Sequence, residues 1–231
     1  MPMVRMETFG FNIRNEAQLM GLPIGYILLE YIESNGTQYI NTGYKMTSNY
    51  EKLNMKFRFL DKYSNKTLIG TQDSQYSDST LYSINIYQNQ LFVANSHNIW
   101  SWNATIGTDY EIDISANEQT GSVLVNGTTS SFDIKGNIDK KDNILIFCGE
   151  VAGTPNLSQA VSARLYFCKI YDNGVLVRDF VPCKNSSGVV GLYDKVGGKF
   201  YQNAGSGTFI SGPEIHKGGI FVFGHKLTME C

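Results

Sequence analysis

The sequence has no run of more than two basic residues, and its formal net charge is −2. A nucleic-acid groove needs a clustered positive face, so that class of partner is excluded. No apolar stretch approaches the roughly 20 residues of a membrane-spanning helix. The longest, "GGIFVFG" at 218–224, is one strand long. Cysteine is scarce. Cys148, Cys168, Cys183 and Cys231 form no C-x-x-C pair, which argues against a zinc knuckle. The histidines His97, His216 and His225 are scattered and lack metal-ligand spacing on a helix. There is no G-x-S-x-G nucleophile elbow, and "GSGT" at 205–208 reads as a turn, not a phosphate loop. The first 21 residues lack the apolar stretch of about 7–15 residues that marks an export leader. Runs of strong helix formers are also few. The clearest, "NEAQLMG", predicts one short helix capped by Asn15 and stopped by Gly21.

What is present points to strands. Hydrophobic residues make up 42% of 231 positions, with 23 Gly, 14 Tyr and 13 Phe, a balance that favours sheets and turns in one domain. In "EKLNMKFRFLD", Leu53, Met55, Phe57 and Phe59 alternate with Lys52, Asn54, Lys56 and Arg58. Period two predicts a half-buried antiparallel strand with its cations outward. "DYEIDIS" repeats the pattern with Tyr110, Ile112 and Ile114 inward. "LYSINIYQNQLFVAN" reads as two strands about a turn near Gln88–Gln90. Asn126-Gly127 and Asn173-Gly174 are hairpin turns, since Asn-Gly tolerates positive φ at both positions. "NILIFCG" and "ARLYFCKIY" are apolar on both faces and predict central strands, with Cys148 and Cys168 as buried reduced thiols. The sequons at Asn65, Asn103 and Asn126 read as Asn-rich turns. Many short strands without intervening helices predict a β-sandwich.

Two segments carry a resemblance. "LPIGYILLEYIESNGTQYINTGYK" (22–45) and "ARLYFCKIYDNGVLVRDFVPCKNSSGVVGLYDKVGGKFYQNAGSGTF" (163–209) resemble the opening and closing strands of concanavalin A-like, laminin G-type jelly-roll domains. Such domains occur in phage virion proteins and in surface proteins of Gram-positive gut bacteria. The resemblance covers about residues 22–211. It implies an all-β, two-sheet antiparallel jelly-roll sandwich whose opening and closing strands lie together. It implies that Tyr193, Phe200, Tyr201 and Phe209 seal the sandwich. Residues 1–21 and 212–231 match nothing in the family and are expected to be N- and C-terminal extensions.

Function has to come from a site, not from the fold. Jelly-roll glucanases use a Glu-x-Asp-x-x-Glu strand. Here Glu111 and Asp113 are followed by Ala116 where the second Glu belongs, so no enzyme activity is expected. Glycan binding is the chemistry that remains, with aromatic platforms for the sugar ring and amides or carboxylates for its hydroxyls. The expected site is His97, Trp100, Trp102 and Asn103, joined by Asp73 and Tyr76 from the loop "TQDSQYSDST". No cofactor is expected; loop carboxylates Asp73 and Asp78 are the candidates for a structural calcium ion.

A fold suited to extracellular work, without an export leader, leads to the expectation of a phage virion structural protein. It would be a head-decoration or tail/fibre component, made in the host cytoplasm and released by lysis, displaying a lectin-like jelly roll to host or mucosal glycans. The partners expected are other virion proteins or further copies, met through residues 1–21 or 212–231. The alternatives are a secreted or cell-surface carbohydrate-binding module of a gut bacterium and, more distantly, a glycoside hydrolase.

Overall fold

The computed structural model describes residues 21–49, 51–61, 65–72, 81–87, 90–95, 97–117, 119–133 and 140–215. The predicted helix ending at Gly21 lies outside them. Three short strands open the chain: β1 (Ile27–Leu28), β2 (Ile32–Asn35) and β3 (Ile40–Asn41). β4 (Glu51–Phe59) and β5 (Lys66–Gln72) follow, then a meander of β6 (Leu81–Tyr87), β7 (Gln90–Asn95) and β8 (His97–Asn103). A second meander is β9 (Asp109–Ala116), β10 (Thr120–Val125) and β11 (Thr128–Asp133). The short β12 (Leu145–Ile146), β13 (Gly149–Val151) and β14 (Thr154–Asn156) lead into the long hairpin β15 (Ser162–Asp172) and β16 (Val175–Lys184). β17 (Val190–Asp194), β18 (Lys199–Gln202) and β19 (Ile210–Ser211) close the chain.

The large sheet runs β11-β10-β9-β4-β15-β16-β17-β18, with β2 beside β15, β1 beside β16 and β19 beside β2. The small sheet runs β14-β13-β5-β6-β7-β8, with β12 beside β5 and β3 beside β12. Opening and closing strands thus share one sheet, as a jelly roll requires. The pairing is antiparallel except where β13 lies parallel to β5. There the chain has come down β5 as β12 and turned back. The reversal falls at Phe147, whose φ is +68°.

Alternation builds the core. On β4 the apolar set Leu53, Met55, Phe57 and Phe59 is buried, while Lys52, Asn54, Lys56 and Arg58 face out. Tyr110, Ile112 and Ile114 do the same on β9. They meet Leu68, Ile84, Ile86, Leu91 and Val93 from the small sheet. Both Asn-Gly hairpins have positive φ at both residues. Cys148, Cys168 and Cys183 are buried free thiols; burial pushes Cys148 up to about 11 and raises the other two as well, so none is a ready nucleophile.

One expectation changes. β15 is not apolar on both faces. It has a bulge between Leu165 and Phe167, which resets the parity of the strand. Ala163 and Leu165 point inward before it, and Cys168 and Ile170 point inward after it. "NILIFCG" does bury both faces. Ile144 and Ile146 join the main core, and Leu145 and Cys148 join a small cluster with Ala160.

Gly121 on β10 shows how tightly the outer strands close. A Cβ there would lie 2.2 Å from Cε2 of Phe132, its cross-strand partner. Gly121→Ala must therefore displace the ring. Overpacking of this kind costs about 1–3 kcal/mol, and we expect that loss from the denaturation midpoint.

A candidate binding trough on the large sheet

The inner face of β4, β9, β10 and β11 is committed to the core, so alternation leaves a defined outer face. Register then assembles residues that are far apart in sequence. Ser131 on β11 faces Ser122 on β10, which faces Ser115 on β9, which faces Lys52 on β4, which faces Tyr171 on β15. The next row is Thr129, Leu124, Asp113, Asn54 and Lys169. Three small serine side chains lie side by side in the first row. An open trough of about 660 Å³ is lined by those serines, Lys52, Asn117, Thr120 and the Gly174 turn. A second hollow of about 360 Å³ lies beside it, lined by Asn54, Glu111, Asp113, Leu124, Asn126 and Gly127.

The trough presents hydroxyls, amides and carboxylates on rigid strands. The Lys52 ammonium sits 3.1 Å from Asp113 and 5.7 Å from the Tyr171 ring centre. The Asn126 side chain ties the β10–β11 turn to β9. Its Oδ1 accepts from Glu111 N at 2.8 Å, and its Nδ2 donates to Asp109 O. Farther across the face the charges are matched among themselves. Arg58 donates to Asp109 at 2.6 Å and the Tyr166 hydroxyl donates to the same oxygen at 2.8 Å. The Arg58 hydrogen bond is the main reason the Asp109 carboxyl lies below its ordinary range. Arg164 bonds Glu33 at 2.7 Å and stacks 4.3 Å from the Tyr31 ring centre. This half is a finished polar surface, whereas the serine half is recessed.

The residues expected to bind sugar fall elsewhere. β8 is the edge strand of the small sheet. Trp102 pairs with buried Leu91, is half-buried and packs against the main core. Asn103 is exposed and, being next in the strand, points to the opposite face. His97 and Trp100 lie in β8, opposite Asn95 and Val93, and their side chains are outside the described residues. Asp73, Tyr76 and Asp78 are outside them altogether, and with them the calcium candidates. Among the described residues, no cluster of three or more His, Cys, Asp or Glu could hold a metal ion, and no helix is long and apolar enough to cross a membrane. Glu111 and Asp113 do share the outer face of β9, as the glucanase comparison requires, while Ala116 faces the core. The serines of the trough went unnoticed in the sequence because each is an ordinary outward position, and only the register joins them.

No protein-family model matches the chain, and no curated protein matches it. Solved structures similar to it include the CBM40 of Ruminococcus gnavus IT-sialidase bound to α2,3-sialyllactose. That match has 9% identity and a TM-score of 0.46, and it covers 62% of this chain and 89% of that one. The same CBM40 without the sugar gives 12% identity and a TM-score of 0.44, with the same coverage. The native heptameric SAP-like pentraxin of Limulus polyphemus gives 10% and 0.41, covering 63% of this chain and 74% of that one. These are likenesses of fold alone.

Proposed function

We propose that this chain is a non-enzymatic, lectin-like jelly roll that binds glycans in the trough across β11, β10, β9 and β4. The row Ser131–Ser122–Ser115–Lys52–Tyr171 carries the reading. It supplies hydroxyl partners along an open floor, an ammonium at one end with the Tyr171 ring beyond it, and room for an oligosaccharide. A screen of immobilised glycans tests it: a defined subset should retain the protein, and no retention on any glycan overturns the reading. Hydrolysis is not expected, because the third carboxylate of a glucanase strand is replaced by core-facing Ala116. Reproducible sugar release that disappears in Glu111→Gln would contradict this.

A second location for the same ligand is the edge of the small sheet, where Trp102 keeps part of its ring accessible. The two locations separate cleanly. With Trp102 on the core, Trp102→Ala should lose about 3 kcal/mol of stability and leave glycan affinity unchanged. The reverse pattern moves the site to β8, with Asn103, His97 and Trp100 as its neighbours.

The module works outside the cell, and we place it on a virion, anchored by its extensions. One observation supports an anchored arrangement. Leu22 and Ile215, at the two ends of the described chain, both pack in one small cluster with Leu28, Val181, Cys183 and Tyr193. That cluster sits on β16 and β17, at the far side of the large sheet from the trough. Attachment there, on the same outer face but several strands away, leaves the trough uncovered. Mass spectrometry of purified particles from the producing strain tests the placement, and absence of the chain from them overturns it in favour of a secreted module.

A further inference from the structure

The trough and the hollow beside it are joined by consecutive outward rows. Ser115 stands in the first row, Asp113 in the second, and Glu111 follows on the same face of β9. Successive outward positions on a strand are about 7 Å apart, so these three make one polar line about 14 Å long. Leu124 pairs with Asp113 and is 39% exposed. It sets an apolar patch beside that line.

Charge decides which sugars fit such a surface. A carboxylate or sulfate on a glycan calls for a guanidinium or ammonium with donors to spare. Among the described residues, no arginine lines either hollow. The cations of this face are already engaged. Lys52 lies 3.1 Å from Asp113, Lys56 3.8 Å and Arg58 2.6 Å from Asp109, and Arg164 2.7 Å from Glu33. Lys169 ends the second row and stands opposite Asp179 of β16. Lys56 is the cross-strand partner of Glu111, yet its ammonium turns to Asp109 and to the Tyr166 ring, 4.9 Å from the ring centre. Glu111 is exposed and has no ion-pair partner among the described residues. The hollow therefore carries an uncompensated negative charge.

We propose that the trough and the hollow form one site for uncharged oligosaccharides, and that Glu111 turns acidic ones away. The proposal rests on the trough being the glycan site. Sugar hydroxyls donate to Asp113 and Glu111, bonds that the carboxylate charge strengthens, and the C–H face of a ring covers Leu124. A sialic acid, a uronic acid or a sulfate ester in the hollow would set like charge against Glu111.

An array of neutral, sialylated, uronic-acid and sulfated oligosaccharides tests this with the full chain, Glu111→Lys and Ser122→Trp. The wild type should be retained by neutral members only. A tenfold rise in salt should change that affinity less than about twofold, because ligand and protein form no ion pair. Glu111→Lys alters an exposed position and should raise binding to acidic members at least tenfold. Wild-type retention on acidic members that Ser122→Trp abolishes keeps the trough as the site and overturns the exclusion. So does unchanged selectivity in Glu111→Lys. Retention that Ser122→Trp leaves intact, or none on any member, overturns the trough reading and this proposal with it.

Discussion

Asp172→Ala is expected to destabilise the domain by about 1.5–3 kcal/mol, the scale of losing hydrogen bonds to a charged group. The Asp172 carboxylate is buried at the end of β15 and accepts from five donors. The Tyr44 hydroxyl and the Thr47 hydroxyl lie at 2.8 Å, and Thr47 N lies at 2.6 Å. Ser48 Oγ and Ser48 N lie at 2.5 and 3.1 Å. Alanine removes the shared acceptor of these part-buried donors, some of which water can then satisfy. The effect reaches the site, because Asp172 precedes the Asn173-Gly174 turn and Gly174 rims the trough. Acid should reveal the same group. Burial alone would raise its pKa, but the hydrogen bonds from Ser48, Thr47 and Tyr44 outweigh it and hold the carboxyl below its ordinary value. A pKa lowered on folding adds stability that is present above the unfolded value of about 3.9. That stability is lost as pH falls through the lower folded value. The Tm of the wild type should therefore fall below about pH 4, and Asp172→Asn should show a shallower fall from a lower starting Tm. Identical acid profiles would contradict the assignment.

Ser122→Trp is expected to reduce glycan affinity at least about tenfold, a loss of some 1.4 kcal/mol, with Tm unchanged. Ser122 points outward from β10 between Ser115 and Ser131, so an indole there fills the trough without entering the core. The neighbouring inward residues, Val123 and Val125, keep their contacts. Asn103→Ala on the opposite sheet serves as the control and should bind as the wild type does. If Ser122→Trp binds normally, the trough is not the site.

Much of the fold was legible because period-two patterning is a direct physical signal. β4 is the clearest case: its four apolar residues are buried and its cations face out. The Asn-Gly turns were equally plain, since few other residue pairs accept two positive φ values. β15 misled because a bulge inserts a residue and shifts the parity, so that Tyr166 and Phe167 read as two apolar faces. Phe147 misled nobody and informed nobody, as nothing in "NILIFCG" announces a positive φ at a bulky residue. The candidate site was not legible. Paired tryptophans attract attention in a sequence, yet Trp102 packs on the core. A serine row is silent until β11, β10 and β9 are aligned, because its members come from three strands and their meaning lies in the register.

The central claim is that ligand binds on the outer face of the large sheet. Amide chemical-shift mapping tests it most directly, by titrating a glycan retained in the screen into the isotope-labelled protein. The account predicts shifts concentrated at Lys52, Ser115, Ser122, Ser131 and Gly174, and none along β8. Shifts confined to residues 97–103, or no shift with any glycan, would contradict it.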